Sequence, residues 1–282
     1  MNRIRYAFSL VAYGDEPVET GLERIARYGY DAVELIGESE KYDLAGVRLR
    51  CADLGLDVSA ICSMWIGNGR DLSSADPAER RSAVAYGHAV TDMAATVGAP
   101  TVVVCPARLW RVTPSGPTHD ERAWAVDGIR QVAEYAGERG VQVTIEPWNR
   151  YETHLVNTVA DAAGFAREVG LSNVGVLPDT FHMNIEETGQ LSERIEEHSS
   201  FVNHVHFSDS NRGAPGTGHI DFAPIVRTLL EIGYDGYVTF ELLPPAADPS
   251  QFATKDPHRR FRDPYTRTSI AYLKDIVDDL TQ

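Results

Sequence analysis

Short apolar segments alternate with longer segments whose apolar residues recur at helical spacing along most of the chain. At six positions a helical segment ends in glycine, and an apolar run follows within a residue or two. Glycine just past a helix end adopts the left-handed backbone without strain, so each position indicates a helix that leads into a strand. These glycines are Gly29, Gly55, Gly98, Gly140, Gly170 and Gly233.

The segments between these glycines carry the signals of helix ends and helix faces. Asp76 is a candidate helix cap, with Pro77 in the first turn and Glu79 three residues beyond the cap. An opening strand around residues 4–10 and a further apolar run from Phe201 bring the predicted strands to eight. A later helical segment has one apolar stripe, formed by Ala125, Ile129, Val132 and Ala136.

The predicted strands are separated by helices, and such strands pair in parallel with the helices outside. Eight of these units in 282 residues match one (β/α)8 TIM barrel. A doubly wound open sheet would more often carry a glycine-rich nucleotide loop, and neither GxGxxG nor GxxxxGK[ST] occurs. We therefore predict an α/β fold with a single barrel domain over residues 1–282, with an extended loop and a terminal helix from about residue 244.

The composition narrows the classes of partner. A formal net charge of -15 argues against a protein that grips nucleic acid through its phosphates, because such proteins need a basic surface. The one basic cluster, "HRRFR" at residues 258–262, is predicted to be a solvent-exposed or subunit-contact loop. No apolar stretch reaches the roughly 18–20 residues that a membrane span requires. We therefore expect neither nucleic acid nor a membrane as a partner.

The cysteines and the N-terminal pattern bear on the location of the protein. Cys51, Cys62 and Cys105 are odd in number and far apart, so we expect buried, reduced thiols rather than a disulfide framework. Acidic residues directly follow the short apolar run near the N-terminus, unlike a secretory signal. These features predict a cytoplasmic protein.

The last four predicted strands each end in a side chain that can bind a metal. The carboxyl ends of barrel strands meet at one mouth, so we expect these side chains to converge there. Three carboxylates and one imidazole at one point repel each other unless a cation lies between them. Such an oxygen-rich set suits Mn²⁺, Mg²⁺ or Co²⁺ better than a structural zinc. The four residues are Glu146, Asp179, His206 and Glu241.

Four motifs in the second half of the chain resemble those of a known family. They are "EPWNRYE" (146–152), "DTFHMNIEE" (179–187), "HFSDSNRGAPGTG" (206–218) and "GYDGYVTFE" (233–241). With them the chain resembles the sugar isomerase/epimerase superfamily of xylose isomerase-like barrels and, within it, the D-tagatose/D-psicose (allulose) 3-epimerases. The resemblance implies a divalent cation, Mn²⁺ before Mg²⁺ or Co²⁺, held by the four residues named above. It also favours His206 over its neighbour His204 as the ligand, and we expect His204 to lie deeper in the barrel.

The resemblance assigns roles to further residues and implies a reaction. Glu152, His182 and Arg212 would bind oxygens of a sugar or polyol-like substrate. The implied activity is that of a ketose 3-epimerase, which moves a proton next to a carbonyl through a metal-bound cis-enediolate. Glu146 and Glu241 would remove and supply the proton from opposite faces of the substrate. Barrels of this family usually form dimers or tetramers, so we expect a homo-oligomer.

The first half of the chain offers weaker candidates for the pocket. Phe8, Glu34 and Trp110 stand where the barrel would place lining residues, and Trp110 could form an apolar wall against the sugar or pack on its own barrel. Arg212 offers a planar fork of donors to substrate oxygens, and its structural alternative is an ion pair with Asp209 or another neighbour.

Two stretches near the mouth depart from the family pattern. Ser208 and Asp209 stand where those epimerases usually carry Gly-Glu, and Pro178 precedes the ligand Asp179. The stretch over residues 241–265 replaces a shorter family ending and is rich in proline and charge. These departures leave the substrate open, whereas the ligand set is complete.

Several other functions use the same kind of site. An aldose-ketose or hydroxypyruvate-type isomerase, an inosose dehydratase and a C-glycoside-cleaving lyase subunit all exploit a metal-stabilised enediolate or enolate. An apurinic-site endonuclease shares the barrel, but it needs a three-metal cluster with more histidines, and the acidic charge is unsuitable. A non-catalytic binding module is disfavoured by the complete ligand set.

Overall fold

The computed structural model describes residues 4–243 and 259–281, and these residues form alternating strands and helices. The strands are short and largely buried, as expected for parallel strands covered by helices. Eight strands lie in the described residues: β1 (Arg5–Ser9), β2 (Ala32–Ile36), β3 (Asp57–Cys62), β4 (Thr101–Val104), β5 (Gln142–Ile145), β6 (Val174–Val176), β7 (Val205–Phe207) and β8 (Tyr237–Phe240).

Helices follow the strands and cover the sheet from outside. The described helices are α1 (Val18–Arg27), α2 (Leu44–Leu54), α3 (Pro77–Val97), α4 (Thr118–Gly137), α5 (Val159–Val169), α6 (Thr180–Glu186), α7 (Leu191–Glu197), α8 (Phe222–Glu231) and α9 (Arg259–Thr281). Short 3-10 turns lie at Leu10–Tyr13, Ser39–Lys41 and Ser199–Phe201.

The strands form one parallel sheet that closes on itself. The sheet order is β6-β5-β4-β3-β2-β1-β8-β7, and each neighbouring pair is parallel. Two isolated parallel bridges, Val176 to Val202 and Asp179 to His206, join the two ends of this order. The predicted (β/α)8 barrel is therefore confirmed, and its closing seam runs between two of the predicted metal ligands.

The glycine joints behave as the pattern predicts. All six have positive φ, between 67 and 80°, at Gly29, Gly55, Gly98, Gly140, Gly170 and Gly233. At Asp76, the predicted cap of α3, a side-chain oxygen accepts a hydrogen bond from the backbone N–H of Ala78. The left-handed backbone of these glycines thus follows the helix ends that the sequence predicts.

The basic cluster at residues 258–262 differs from the prediction. Residues 259–262 form the first turn of α9 rather than a loop, while residue 258 and the predicted loop from residue 244 lie outside the described residues. Arg262 is only 6% exposed, and its Nη2 donates to the carbonyl oxygen of Tyr13 at 2.6 Å. The arginine therefore attaches α9 to the turn after β1.

Candidate functional site

The four predicted metal ligands lie together at the carboxyl end of the barrel. One ligand atom from each lies within 4.8 Å of the others, and all four residues are buried. From Nδ1 of His206 the nearest carboxylate oxygens are 3.6 Å away in Glu146, 3.7 Å in Asp179 and 3.4 Å in Glu241. Each ligand comes from the end of a different strand, so the barrel rather than any local motif brings them together.

Asp179 joins the ligand cluster and also caps a helix. Its Oδ1 accepts hydrogen bonds from the backbone N–H groups of Phe181, at 2.8 Å, and His182, at 3.3 Å, at the start of α6. Its Oδ2 faces the other ligands instead. The cap therefore orients the carboxylate and leaves one oxygen for the site.

The donor set fits a divalent cation. Oε1 of Glu146 and Nδ1 of His206 are buried, and neither has a hydrogen-bond partner. Buried polar atoms without partners are costly, and a cation coordinated by both would satisfy them. Three carboxylates with one imidazole suit Mn²⁺, Mg²⁺ or Co²⁺.

Glu34 lies beneath His206 rather than in the pocket wall. It is fully buried, and its Oε2 accepts from Nε2 of His206 at 2.9 Å and lies 3.1 Å from Nε2 of His204. Because Nε2 of His206 donates to this carboxylate, Nδ1 keeps its lone pair for a cation. The prediction of a pocket-lining Glu34 is wrong, since β2 directs this side chain into the barrel interior.

Two histidines stabilise the negative charge of Glu34. One of them, His204, is the alternative candidate for the metal ligand on β7. Burial alone would raise the pKa of Glu34, but His206 and His204 outweigh it and lower the pKa to about 2. His204 also lies 3.2 Å from Oγ1 of Thr239. His204 therefore contacts Glu34 and Thr239, whereas His206 is the histidine that lies with Glu146, Asp179 and Glu241.

The two glutamates of the cluster differ in their electrostatic environment. Burial raises the pKa of Glu146 above its usual value, although His206 opposes this. Burial acts on Glu241 as well, but Arg212 and His206 outweigh it and hold the pKa of that carboxyl below its usual range. The structure thus gives the two carboxyl groups opposite tendencies to hold a proton.

Arg212 spans two of the ligands. Its Nη1 donates to Oδ2 of Asp179 at 2.6 Å, and its Nη2 donates to Glu241. Among the described residues other than glycine, only Trp110 and Arg212 have positive φ, 64° and 59°, respectively. A left-handed backbone at a bulky residue is a strain that tends to be found at functional sites.

The alternative ion pair between Arg212 and Asp209 does not form. Asp209 is buried and instead accepts backbone hydrogen bonds from the loop after β7, at Ser210, Gly216 and Ile220. Its own carboxylate is therefore satisfied by the loop, and the guanidinium of Arg212 is directed to the ligand cluster.

A cavity lies beside the ligands and takes in the three predicted substrate-binding residues. Glu152, His182, Arg212 and Glu241 contribute its charged and polar wall. Nε2 of His182 lies 3.9 Å from Oε1 of Glu146, so this imidazole also borders the ligand cluster. The cavity is therefore lined by the predicted metal ligand Glu241 and by the three predicted substrate-binding residues.

The other predicted pocket residues lie elsewhere. Phe8 is fully buried and stacks on Tyr13, with ring centroids 5.1 Å apart, and it is not among the described residues that line this cavity. Trp110 is 40% exposed and is also absent from that lining, but its backbone N–H donates to the carbonyl oxygen of Glu152 at 2.7 Å. Substrate contact by their side chains stays a prediction that the geometry does not support.

Several further residues that the sequence did not predict line the cavity. Trp65, Leu109 and Trp148 form part of its apolar wall. The Cys62 thiol lines the cavity too, and its Sγ donates to Oε1 of Glu241 at 3.4 Å. Cys62 ends β3 and Trp148 closely follows β5, so position at a strand's carboxyl end was the available signal.

Comparison with known proteins gives the same family throughout. The family model described as "Xylose isomerase-like TIM barrel" matches residues 22–276. The D-psicose 3-epimerase of Agrobacterium fabrum is 32% identical over 226 residues, which are 78% of this chain and 77% of that protein. The 3-dehydro-D-guloside 4-epimerase of Escherichia coli is 30% identical over 275 residues, 93% of this chain and 96% of that protein.

Solved structures extend the likeness to the fold. A D-psicose 3-epimerase crystallised in the presence of D-fructose superposes with a TM-score of 0.86 at 26% identity, covering 97% of this chain and 99% of that one. An L-ribulose 3-epimerase gives a TM-score of 0.87 at 26% identity, with 98% and 95% covered. The relatives are carbohydrate epimerases, and the present chain belongs to the xylose isomerase-like TIM barrel family.

Proposed function

We propose that this protein is a divalent-metal-dependent ketose 3-epimerase. The observation that carries the proposal is the buried cluster of Glu146, Asp179, His206 and Glu241. Around the adjoining cavity lie Glu152, His182 and Arg212, which are polar groups of the kind that hydroxyl and carbonyl oxygens require. The names of the relatives support a ketose as substrate.

The chain's own residues perform the proton transfer. A divalent cation held by Glu146, Asp179, His206 and Glu241 would supply a Lewis acid, which would stabilise the negative charge that develops on the substrate. One of the two glutamates, Glu146 or Glu241, removes the proton next to the carbonyl, and the other returns a proton from the opposite face. Return from the opposite face inverts the carbon. His182 and Arg212 bind and orient the substrate oxygens during the transfer.

Three finer features complete the proposal. We propose Mn²⁺ as the cation, since a set of carboxylates with one histidine suits it. Among the described residues no helix combines the length and apolar character needed to cross a membrane. Three free, buried cysteines accord with a cytoplasmic location, which we propose.

We also propose a homo-oligomer. Its interface would cover large apolar residues that are exposed at the barrel mouth, namely Trp110 (40% exposed), Val112 (46%) and Tyr151 (72%).

The test is proton exchange at a defined carbon. The Mn²⁺-loaded protein is incubated with a panel of free ketoses in D2O, and NMR records which carbon gains deuterium. We expect deuterium at C3 of the accepted ketose and inversion of that carbon. Glu146→Gln and Glu241→Gln should each eliminate this exchange, because each removes one proton carrier.

A matched control shows whether the loss of any negative charge, rather than of a catalytic carboxylate, affects the exchange. Glu168→Gln changes an exposed glutamate of α5 that pairs with Arg122, and it should leave the exchange rate unchanged. Undiminished exchange in both Glu146→Gln and Glu241→Gln would rule out the scheme of two glutamates.

Epimerisation at the neighbouring carbon is the second candidate. It is favoured by the 3-dehydro-D-guloside 4-epimerase, which matches more of this chain than the D-psicose 3-epimerase of Agrobacterium fabrum does. A 3-keto sugar added to the same panel separates the two functions, because deuterium then appears at C4 rather than at C3 of a 2-ketose.

A further inference from the structure

Asn149 lies between two of the groups that bind substrate in the proposed function. It is 1% exposed and follows the metal ligand Glu146 in the loop after β5. Its side-chain Nδ2 lies 2.9 Å from Oε1 of Glu152 and 2.9 Å from Nδ1 of His182. Its backbone N–H also points to Nδ1 of His182, at 3.2 Å. One asparagine therefore contacts both substrate-binding side chains.

The orientation of the Asn149 amide follows from its neighbours. Its Oδ1 accepts the backbone N–H of Tyr151 at 3.0 Å. If the amide were rotated by 180°, its NH2 would face that N–H, and its oxygen would face the carboxylate of Glu152. Both contacts would be repulsive, so the NH2 group faces Glu152 and His182.

The orientation of this amide determines the tautomer of His182. Two N–H donors from Asn149 converge on Nδ1 of the imidazole, so Nδ1 must be the acceptor. The single proton of the neutral ring is then on Nε2. That nitrogen lies on the side of the ligand cluster, 3.9 Å from Oε1 of Glu146. His182 consequently offers a donor, not an acceptor, to whatever lies beside the cation site.

We propose that Asn149 is a positioning residue that presents His182 to the substrate as an Nε2–H donor and at the same time sets the position of the Glu152 carboxylate. The substrate contacts of these two side chains rest on the proposed function, whereas the tautomer does not. The amide uses both of its hydrogens for this purpose, one for each side chain. No other residue type of this size offers two donors and an acceptor in one plane.

The tautomer is tested by ¹⁵N NMR of the histidine rings in the Mg²⁺-loaded protein, with the signals of His182 assigned through His182→Gln. We expect an unprotonated Nδ1 and a protonated Nε2 in the natural chain. Asn149→Asp replaces the NH2 donor with a carboxylate oxygen, which competes with the remaining backbone N–H for Nδ1, so the fraction of His182 protonated at Nδ1 should rise. Asn149→Ala keeps the backbone donor, so the Nε2–H tautomer should persist.

The positioning role is tested by kinetics and by cation affinity. Asn149→Ala should raise the KM for the accepted ketose by about tenfold or more, because Glu152 loses a charge-assisted hydrogen bond. Its cation affinity, measured by calorimetry, should equal that of the natural chain. Asn157→Ala is the matched control, since Asn157 donates to backbone oxygens of the same loop and the structure gives it no bond to His182 or Glu152.

The outcomes are distinguishable. A protonated Nδ1 in the natural chain, or a His182 protonated at Nδ1 in Asn149→Ala, would overturn the proposed tautomer. Equal KM and kcat in Asn149→Ala and the natural chain would overturn the positioning role, as would an equal KM increase in Asn157→Ala. If no ketose shows exchange in the natural chain, the proposed function fails while the spectra still decide the tautomer.

Discussion

Asp179 uses its two carboxylate oxygens for different purposes. Oδ1 caps α6, and Oδ2 faces His206, another of the predicted metal ligands. In the sequence an aspartate that ends a strand and begins a helix is typical of a cap, and a cap is the commoner role. The two roles need not exclude each other, because a carboxylate offers about four acceptor positions.

Glu34 should tune the affinity of the site for its cation. Glu34→Gln keeps the size of the side chain but removes the charge that orients His206 and raises the basicity of its ring. We expect cation affinity to fall by about 10- to 100-fold. Isothermal titration of the metal-free protein with Mn²⁺ measures the change.

A second buried glutamate provides the control for this substitution. Glu121 is fully buried and lies 2.6 Å from Nε2 of His154, in a cluster that contains none of the four ligands. Glu121→Gln should therefore lower stability and leave cation affinity unchanged. Equal affinities in Glu34→Gln and the natural chain would contradict the orienting role of Glu34.

At the scale of elements, the loops after β4 and β5 are joined into one unit at the mouth. Arg111 forms a parallel bridge with Thr153. Its Nε donates to Asp71 at 2.7 Å, and its Nη1 donates to Glu121 at 3.0 Å. The same loop after β5 carries Glu152. Arg111 therefore helps to hold one wall of the cavity.

Removal of Arg111 should destabilise this unit strongly. Arg111→Met leaves the buried carboxylates of Asp71 and Glu121 without their main cation, and an uncompensated buried charge costs about 3–5 kcal/mol. Urea unfolding of the metal-free protein measures the free energy. The KM for the ketose should rise as well, because Glu152 loses part of its support.

The matched control for Arg111→Met is a pair on the outside of the barrel. Arg122 pairs with Glu168 between α4 and α5, and both side chains are partly exposed. Arg122→Met should cost no more than about 1 kcal/mol, as is typical of surface ion pairs. A similar cost for both substitutions would show that the Arg111 network contributes little.

At the scale of the whole molecule, the buried carboxylates make stability depend on pH. Burial would raise the pKa of Glu121, but hydrogen bonds from His154 and Arg111 outweigh it and lower the pKa to about 2. A folded pKa below the unfolded value stabilises the protein at every pH above the unfolded value of about 4.3. This contribution is lost as the pH falls towards 2.

The Glu121→Gln variant makes this dependence measurable. The free energy of unfolding of the natural chain should fall between about pH 5 and pH 3 more steeply than that of Glu121→Gln, which has no carboxylate to protonate there. Urea unfolding at a series of pH values in the presence of a chelator gives both slopes. Parallel slopes would contradict the lowered pKa.

The cation should also stabilise the fold as a whole. It would join the ends of β5, β6, β7 and β8, including the seam where the barrel closes between Asp179 and His206. Free Mn²⁺ at about 100 times its Kd should add about 2.7 kcal/mol to the free energy of unfolding.

Calorimetry of the protein with EDTA and with excess Mn²⁺ measures this effect. We expect a Tm higher by a few degrees with Mn²⁺ in the natural chain. Asp179→Asn, which weakens the ligand set, should show a smaller gain. An identical Tm with and without the ion in the natural chain would argue against a cation in the cluster.

Chelation should also abolish the exchange of substrate protons, and Mn²⁺ or Co²⁺ should restore it.

The barrel and the residue types of the candidate cation site can be predicted from the amino-acid sequence. Helical spacing, glycines past helix ends and apolar runs are local signals, and local backbone chemistry decides where each element begins and ends. Because parallel strands in a barrel end at one mouth, strand order alone indicates that Glu146, Asp179, His206 and Glu241 meet.

The folded structure is needed to establish how deep each side chain lies and which groups contact it. Glu34 and His206 are 172 positions apart, and Asn149 and His182 are 33 apart. The burial of Phe8, the partners of Arg212 and the Arg111 network depend likewise on the stagger of the strands and on how the loops fold over the mouth. No local pattern encodes these distances, because they arise from the packing of segments that are remote along the chain.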